Sequence, residues 1–137
     1  MKKITLNLKN KNIIITGGFG FLGSQITDAL ISEKANIYII DIKKPKNKKF
    51  IKYFKSDITN EEELKKILKF FKFKKIKIDV LINNAAIDYP PSKSKNNSLK
   101  LENFSNELWE KDISVSLKGS YLCTKIFGSY MSKFKKG

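Results

Sequence analysis

The stretch Thr16-Gly17-Gly18-Phe19-Gly20-Phe21-Leu22-Gly23 constrains the fold more than any other part of the chain. It follows Ile13-Ile14-Ile15, an apolar run that reads as a short buried strand, and it precedes Ser24 to Lys34, which reads as a helix. Gly17, Gly20 and Gly23 therefore sit where a strand turns sharply into a helix. Such a turn brings bare backbone and the unpaired N–H groups of a helix N-terminus to one place. A Cβ there would hold a ligand off, which is why a dinucleotide's pyrophosphate demands this arrangement. Gly23 would also let the helix pack closely on its strand. Three glycines describe a turn without a ligand equally well, so the rest of the chain decides between the two readings.

Leu22, Ile26, Ala29 and Leu30 place one apolar face of the first helix on a sheet. Asn36 to Asp41 reads as a second buried strand, with Asp41 at its end. An acid at that place accepts hydrogen bonds from adenosine ribose hydroxyls and repels a 2′-phosphate. The chain has no arginine, and no lysine lies within 17–23, so NAD is expected over NADP; Lys43 and Lys44 oppose that preference. The basic loop 42–49 is shorter than the crossover of about a dozen residues that parallel strands need, so the helix usual there is expected to be missing or vestigial. Phe50 to Lys55 reads as a third strand, and Asp57, just beyond it, is placed to accept from an adenine amino group.

Thr59-Asn60-Glu61-Glu62 fits a capping box with Thr59 as the cap. The helix it opens runs to about Phe71, with Leu64, Ile67, Leu68 and Phe71 on one face. Ile78 to Ile82 reads as a fourth strand ending in Asn83-Asn84-Ala85-Ala86. Small residues there let a flat ligand lie against the backbone, and the amides can lock that strand end to its neighbours. Residues 87–104 form a long polar segment, readable as a substrate-side loop or as a surface insertion. Ser105 caps a last helix through Trp109, Ile113, Leu117 and Tyr121 towards Met131, with a bend expected near Gly119.

Composition excludes several chemistries. All 28 basic residues are lysine, giving a net charge of +15. Lysine without arginine reads as a solvated surface rather than specific nucleic-acid readout. The absence of histidine removes His-based acid–base catalysis, and no Cys/His cluster is available for a metal. The single cysteine, Cys123, reads as a buried packing residue and suits a reducing cytoplasm. No apolar run approaches the ~20 residues of a membrane span. At 137 residues the chain is a single domain.

The ordered set of TGGFGFLG at 16–23, Asp41, Asp57-Ile58-Thr59, Asn83-Asn84-Ala85-Ala86 and the helix from Trp109 to Gly119 resembles the short-chain dehydrogenase/reductase family over essentially the whole chain. The resemblance implies an α/β fold, a Rossmann-type doubly wound parallel sheet in the partial order 3-2-1-4, with the first helix on one face and the later two on the other. It implies hydride transfer between a nicotinamide cofactor and an alcohol or ketone of small-molecule size. Gly17, Phe19, Gly20, Phe21, Leu22 and Gly23 would surround the cofactor's phosphates. Asp41 would meet the adenosine ribose, Asp57 and Ile58 would bracket the adenine, and Asn83, Ala85 and Ala86 would lie along the nicotinamide-side ribose.

Three departures matter. The glycine spacing is similar to the family's extended, sugar-nucleotide-modifying branch, whereas Asn83-Asn84-Ala85-Ala86 is similar to the shorter, alcohol-oxidising one. Val115-Ser116-Leu117 stands where that shorter branch carries Val-Asn-Leu, which makes Ser116 the candidate catalytic residue; it can keep a water but not the amide's contacts. The family's catalytic serine and Tyr-x-x-x-Lys pair have no counterpart. Tyr121 and Lys125 have the spacing but precede the catalytic strand, and Tyr130 is followed four residues on by Phe134. Residues 1–137 are thus expected to be the amino-terminal, cofactor-binding portion of an oxidoreductase, inactive alone, cytoplasmic, and homo-oligomeric when full length. The last helix is similar to a subgroup that makes sugars for surface polysaccharide. A non-catalytic NAD-binding sensor or scaffold module stays open as the alternative, and a basic nucleic-acid-associated protein as a third reading.

Overall fold

The computed structural model describes residues 7–44, 51–87 and 101–134. Four parallel strands, β1 (Asn12–Thr16), β2 (Asn36–Asp41), β3 (Ile51–Lys55) and β4 (Val80–Ile82), form one sheet. Their order is β3-β2-β1-β4, as expected from the family pattern. Ile13 pairs with Ile37 on one side and Val80 on the other, which puts β1 at the centre. Its isoleucines are all buried, the outcome an unbroken apolar run dictates for a strand covered on both faces.

Alternation of side chains divides the core in two. On one face Ile13, Ile15, Ile37 and Ile39 pack with Leu30 of α1 (Phe21–Ser32). On the other, Ile14 and Ile40 pack with Leu64 and Phe71 of α2 (Glu61–Phe73) and with Leu122 and Phe127 of the last helix. Phe71 is fully buried and meets Tyr38 and Phe127 edge-on at 4.9 and 6.4 Å between ring centres. Residues 42–50 join two parallel strands over a span too short for the usual helical crossover; 45–50 lie outside the described residues.

The glycine turn resets the phase of α1. Gly20 N–H donates to Gly17 O at 3.0 Å and Ser24 N–H to Gly20 O at 2.9 Å, so the helix starts at Phe21, with Gly20 as its cap, rather than at Ser24. A Cβ on Gly23 would run into Gly17 O, so Gly23 faces the sheet and the buried stripe follows as Gly23, Thr27 and Leu30. Leu22 and Ala29, expected on that face, point to solvent.

The cap of α2 is Asn60, not Thr59. Asn60 Oδ1 accepts from the N–H groups of Glu62 and Glu63 at 3.1 and 3.2 Å. Thr59 is taken by Asp57, whose Oδ1 accepts both its N–H and its hydroxyl at 2.8 Å. The helix runs on to Phe73, two residues beyond the expected Phe71, and Lys75 closes it at φ 53°. β4 begins at Val80 rather than Ile78; just before it Asp79 N–H donates to Asn12 O at 2.9 Å, while the return bond from Asn12 N–H goes to the Asp79 side chain, Oδ2, at 3.0 Å rather than to a backbone carbonyl.

The last helix starts as α3 (Asn106–Ile113), capped by Ser105 as expected, with Leu108 N–H donating to the hydroxyl at 3.2 Å. It continues through π-helical turns at Ser114–Gly119 and Thr124–Gly128, joined by the α-helical turns Ser120–Cys123 and Ser129–Met131. The helix widens over the residues where a bend near Gly119 is expected, and Gly119 itself has helical angles of −61° and −46°. Its missing Cβ makes room for Ile58, whose side chain fills the place a methyl would take. The long segment expected as a substrate loop lies mostly at 88–100, outside the described residues. Among the described residues no helix is long and apolar enough to cross a membrane, and no group of three or more metal-ligating side chains assembles.

Candidate functional site

The site forms at the carboxyl ends of β1, β2 and β4. Gly17 leaves β1 at φ +65°, and a Cβ there would stand 2.8 Å from Ala85 Cα. The turn is pinned from behind by Gly17 N–H donating to Ile40 O at 2.9 Å. Gly18 lies against Ile39 with no room for a methyl, its ideal Cβ 2.9 Å from that side chain. Gly20 differs: among the described residues a Cβ would find only Gly17 O within 4 Å, at 3.3 Å. Among the described residues no side chain caps α1, and its first turn holds no acid. The helix therefore presents its first N–H groups and the positive end of its dipole uncovered. The side chains of Phe21 and Leu22 are exposed.

The two neighbouring strand ends are tied to this turn by polar atoms. Asp41 is 6% exposed, and each of its carboxylate oxygens accepts a backbone N–H at 2.9 Å, Oδ2 from Phe19 and Oδ1 from Lys43. The Asn84 side-chain amide donates to Thr16 O and Gly17 O, both at 3.1 Å. Thr16 Oγ1 accepts the N–H groups of Asn84 and Ala85, both at 3.0 Å. Asn83 reaches the other way, its amide donating to Thr124 Oγ1 on the last helix at 3.0 Å. Strand-end amides do lock β4 to its neighbours, as the sequence suggests.

Gly17 and Ala85 are thus brought together, and so are Phe19 and Asp41. Ala86 and Asn83 are exposed at the same strand end. Asp57 is exposed and holds Thr59, while the Ile58 side chain is buried against Gly119. Ser116 is exposed on the first π-helical turn, and no hydrogen bond among the described residues joins it to the strand-end groups. Cys123 is buried among apolar side chains, and burial pushes its thiol up to about 12, which leaves it no nucleophilic role. The residues that sequence reasoning missed are Thr16 and Thr124. A hydroxyl closing an isoleucine run was the available signal for Thr16, which is fully buried.

The cradle fits a pyrophosphate: bare backbone at Gly17 and Gly20, an uncapped helix N-terminus, and an acid on the neighbouring strand. A parallel sheet carrying these parts at its carboxyl edge is a Rossmann-type nucleotide-binding fold. The chain belongs to the short chain dehydrogenase family, whose sequence profile matches residues 11–137, and it is therefore part of an oxidoreductase family. It is 27% identical over 139 residues to sorbitol-6-phosphate 2-dehydrogenase of Klebsiella pneumoniae, covering 96% of this chain and 51% of that protein. With an NAD-dependent glycerol dehydrogenase of Listeria innocua it shares 26% over 132 residues, 91% of this chain and 49% of the relative. A solved ElxO variant with NADPH bound superposes with a TM-score of 0.77 at 25% identity, covering 93% of this chain and 53% of that one. The chain spans about half the length of the curated relatives it matches.

Proposed function

We propose that this chain binds NAD at the carboxyl ends of β1, β2 and β4, as the cofactor-holding portion of an enzyme that oxidises an alcohol or reduces a ketone. The observation that carries the reading is the turn itself: Gly17 at φ +65° backed by Ala85, and Gly20 opening α1 with only Gly17 O, among the described residues, near its ideal Cβ. Gly17, Phe19, Gly20, Phe21, Leu22 and Gly23 surround the phosphates, with the N–H groups that open α1 facing them, while the N–H groups of Gly17, Phe19 and Gly20 hold the turn itself together. Asp41 meets the adenosine ribose, Asp57 and the backbone of Ile58, whose side chain is buried against Gly119, border the adenine, and Asn83, Ala85 and Ala86 line the nicotinamide side. The bound cofactor supplies hydride chemistry, and this chain supplies its binding and orientation.

NAD is preferred over NADP because an acid ends β2 and no arginine is present to hold a 2′-phosphate. The substrate class is a small polyol or sugar, with sugar nucleotides for surface polysaccharide the first to try. No residue here matches the family's catalytic serine or Tyr-x-x-x-Lys pair. Ser116, exposed and without a partner at the strand ends, is a weak substitute for a proton-relay asparagine. The polypeptide of residues 1–137 accordingly binds cofactor without turning over alcohol. Its exposed Trp109, Ile113, Leu117 and Tyr121 give the last helix an apolar stripe suited to a second copy. A cytoplasmic setting suits its lone reduced cysteine. Titration with NADH and NADPH, combined with an assay for NAD-linked polyol oxidation, tests the reading: binding without turnover supports it, and turnover by this chain alone contradicts the division of labour.

A further inference from the structure

The Asp41 carboxylate is already occupied by the protein. Phe19 N–H, the middle of the glycine turn, donates to Oδ2 at 2.9 Å, and Lys43 N–H donates to Oδ1 at 2.9 Å. Asp41 also fixes the next strand, its carbonyl accepting Ser56 N–H at 3.1 Å. One residue therefore ties the phosphate-facing turn, the exit from β2 and the end of β3 into a single frame. The carboxylate has capacity for two further hydrogen bonds, but at 6% exposed it offers little surface to a ligand. A second contact pulls the turn the same way: the Phe19 ring packs on Tyr53 of β3 at 5.3 Å between centres. The Tyr53 hydroxyl is enclosed without a partner among the described residues, and burial, then the Asp41 charge, hold the phenol above its ordinary value. Two exposed lysines, Lys43 and Lys44, follow directly, so an added phosphate near this strand end would meet positive charge as well as Asp41.

We propose that Asp41 is a positioning residue whose carboxylate braces Phe19 N–H and so sets the shape of the glycine turn, making affinity for NADH and NADPH alike depend on it. The proposal rests on the dinucleotide reading above and goes beyond it. An acid that served only to touch ribose and repel a 2′-phosphate would, when removed, weaken NADH and strengthen NADPH. A brace, when removed, weakens both.

The test uses Asp41→Ser and Asp41→Asn, with folding verified by amide protection at Phe71 in α2. Asn keeps one acceptor oxygen and can serve only one of the two N–H groups. Hydrogen exchange at the Phe19 and Lys43 amides is read without cofactor, and dissociation constants for NADH and NADPH are read by calorimetry. In Asp41→Ser, exchange at Phe19 should speed up and both cofactors should bind more weakly, each by about tenfold or more, the scale of one lost charge-assisted hydrogen bond. Asp41→Asn should lose protection at one of the two amides. Unchanged protection at Phe19 in Asp41→Ser, or tighter NADPH binding than wild type, overturns the brace. If wild type binds neither cofactor the functional reading fails, and the exchange measurement still decides whether the brace exists.

Discussion

Three glycines of one turn answer to different constraints, and substitution separates them. Gly17 needs its left-handed backbone and its clearance from Ala85, and Gly23 needs its contact with Gly17 O, so a methyl at either damages the fold. Gly20 sits at φ −72° and ψ 177°, extended backbone open to any residue, with only Gly17 O near its ideal Cβ. Gly20→Ala should therefore keep stability within ~1 kcal/mol of wild type, while the new methyl stands where phosphates approach and weakens NADH binding. Urea melts and calorimetry on one sample check both halves; equal NADH affinity would show that phosphates do not lie against Gly20. The glycines and Asp41 are legible in the sequence because a strand–turn–helix is local. The role of Thr16 is not, because its hydroxyl accepts the Asn84 N–H, 68 residues away, only once β1 and β4 are neighbours.

At the scale of elements, the apolar patterns of β1, β2 and α2 are read correctly because periodicity decides which face is buried. Caps are harder, since two adjacent residues of like chemistry compete. Thr59 and Asn60 both accept from helix N–H groups in general; Asp57 settles the contest by capturing Thr59. Asn60→Ala should cost ~1 kcal/mol of stability in urea melts and Thr59→Ala clearly less; equal costs would contradict this assignment. The face of α1 is misread because the closing of the glycine turn, rather than hydrophobicity, fixes its phase. The π-helical turns follow the same logic at longer range. Four residues of α-helix overshoot one turn by about 40°, so a stripe at 109, 113, 117 and 121 would wind around the rod. The wider turn at Ser114–Gly119 counters that drift, which keeps Trp109, Ile113, Leu117 and Tyr121 all exposed. No sequence pattern announces such a turn; the need to seat Ile58 beside Gly119 accompanies it.

For the whole molecule, the entry end of the sheet is held by charge. Burial works to raise the Asp79 carboxyl, but the Asn12 N–H, Lys77 and Lys11 outweigh it and leave the group below its ordinary value of 3.8. A depressed folded value means that Asp79 stabilises the chain above the unfolded value and ceases to as pH falls through the folded one. Stability should be level near neutrality and decline below pH about 4, with Asp79→Asn less stable at neutral pH and flatter in acid. Urea melts across that range check it, and an unchanged acid slope in the variant would place the decline elsewhere. The exposed stripe makes a second statement at this scale. Leu117→Lys should shift sedimentation toward monomer, whereas identical profiles would show that the stripe does not mediate self-association. Whether the glycine turn holds a nicotinamide dinucleotide is decided by calorimetry of the folded chain with NADH and NADPH. NADH should bind saturably and NADPH more weakly; a folded chain that binds neither would overturn the dinucleotide site.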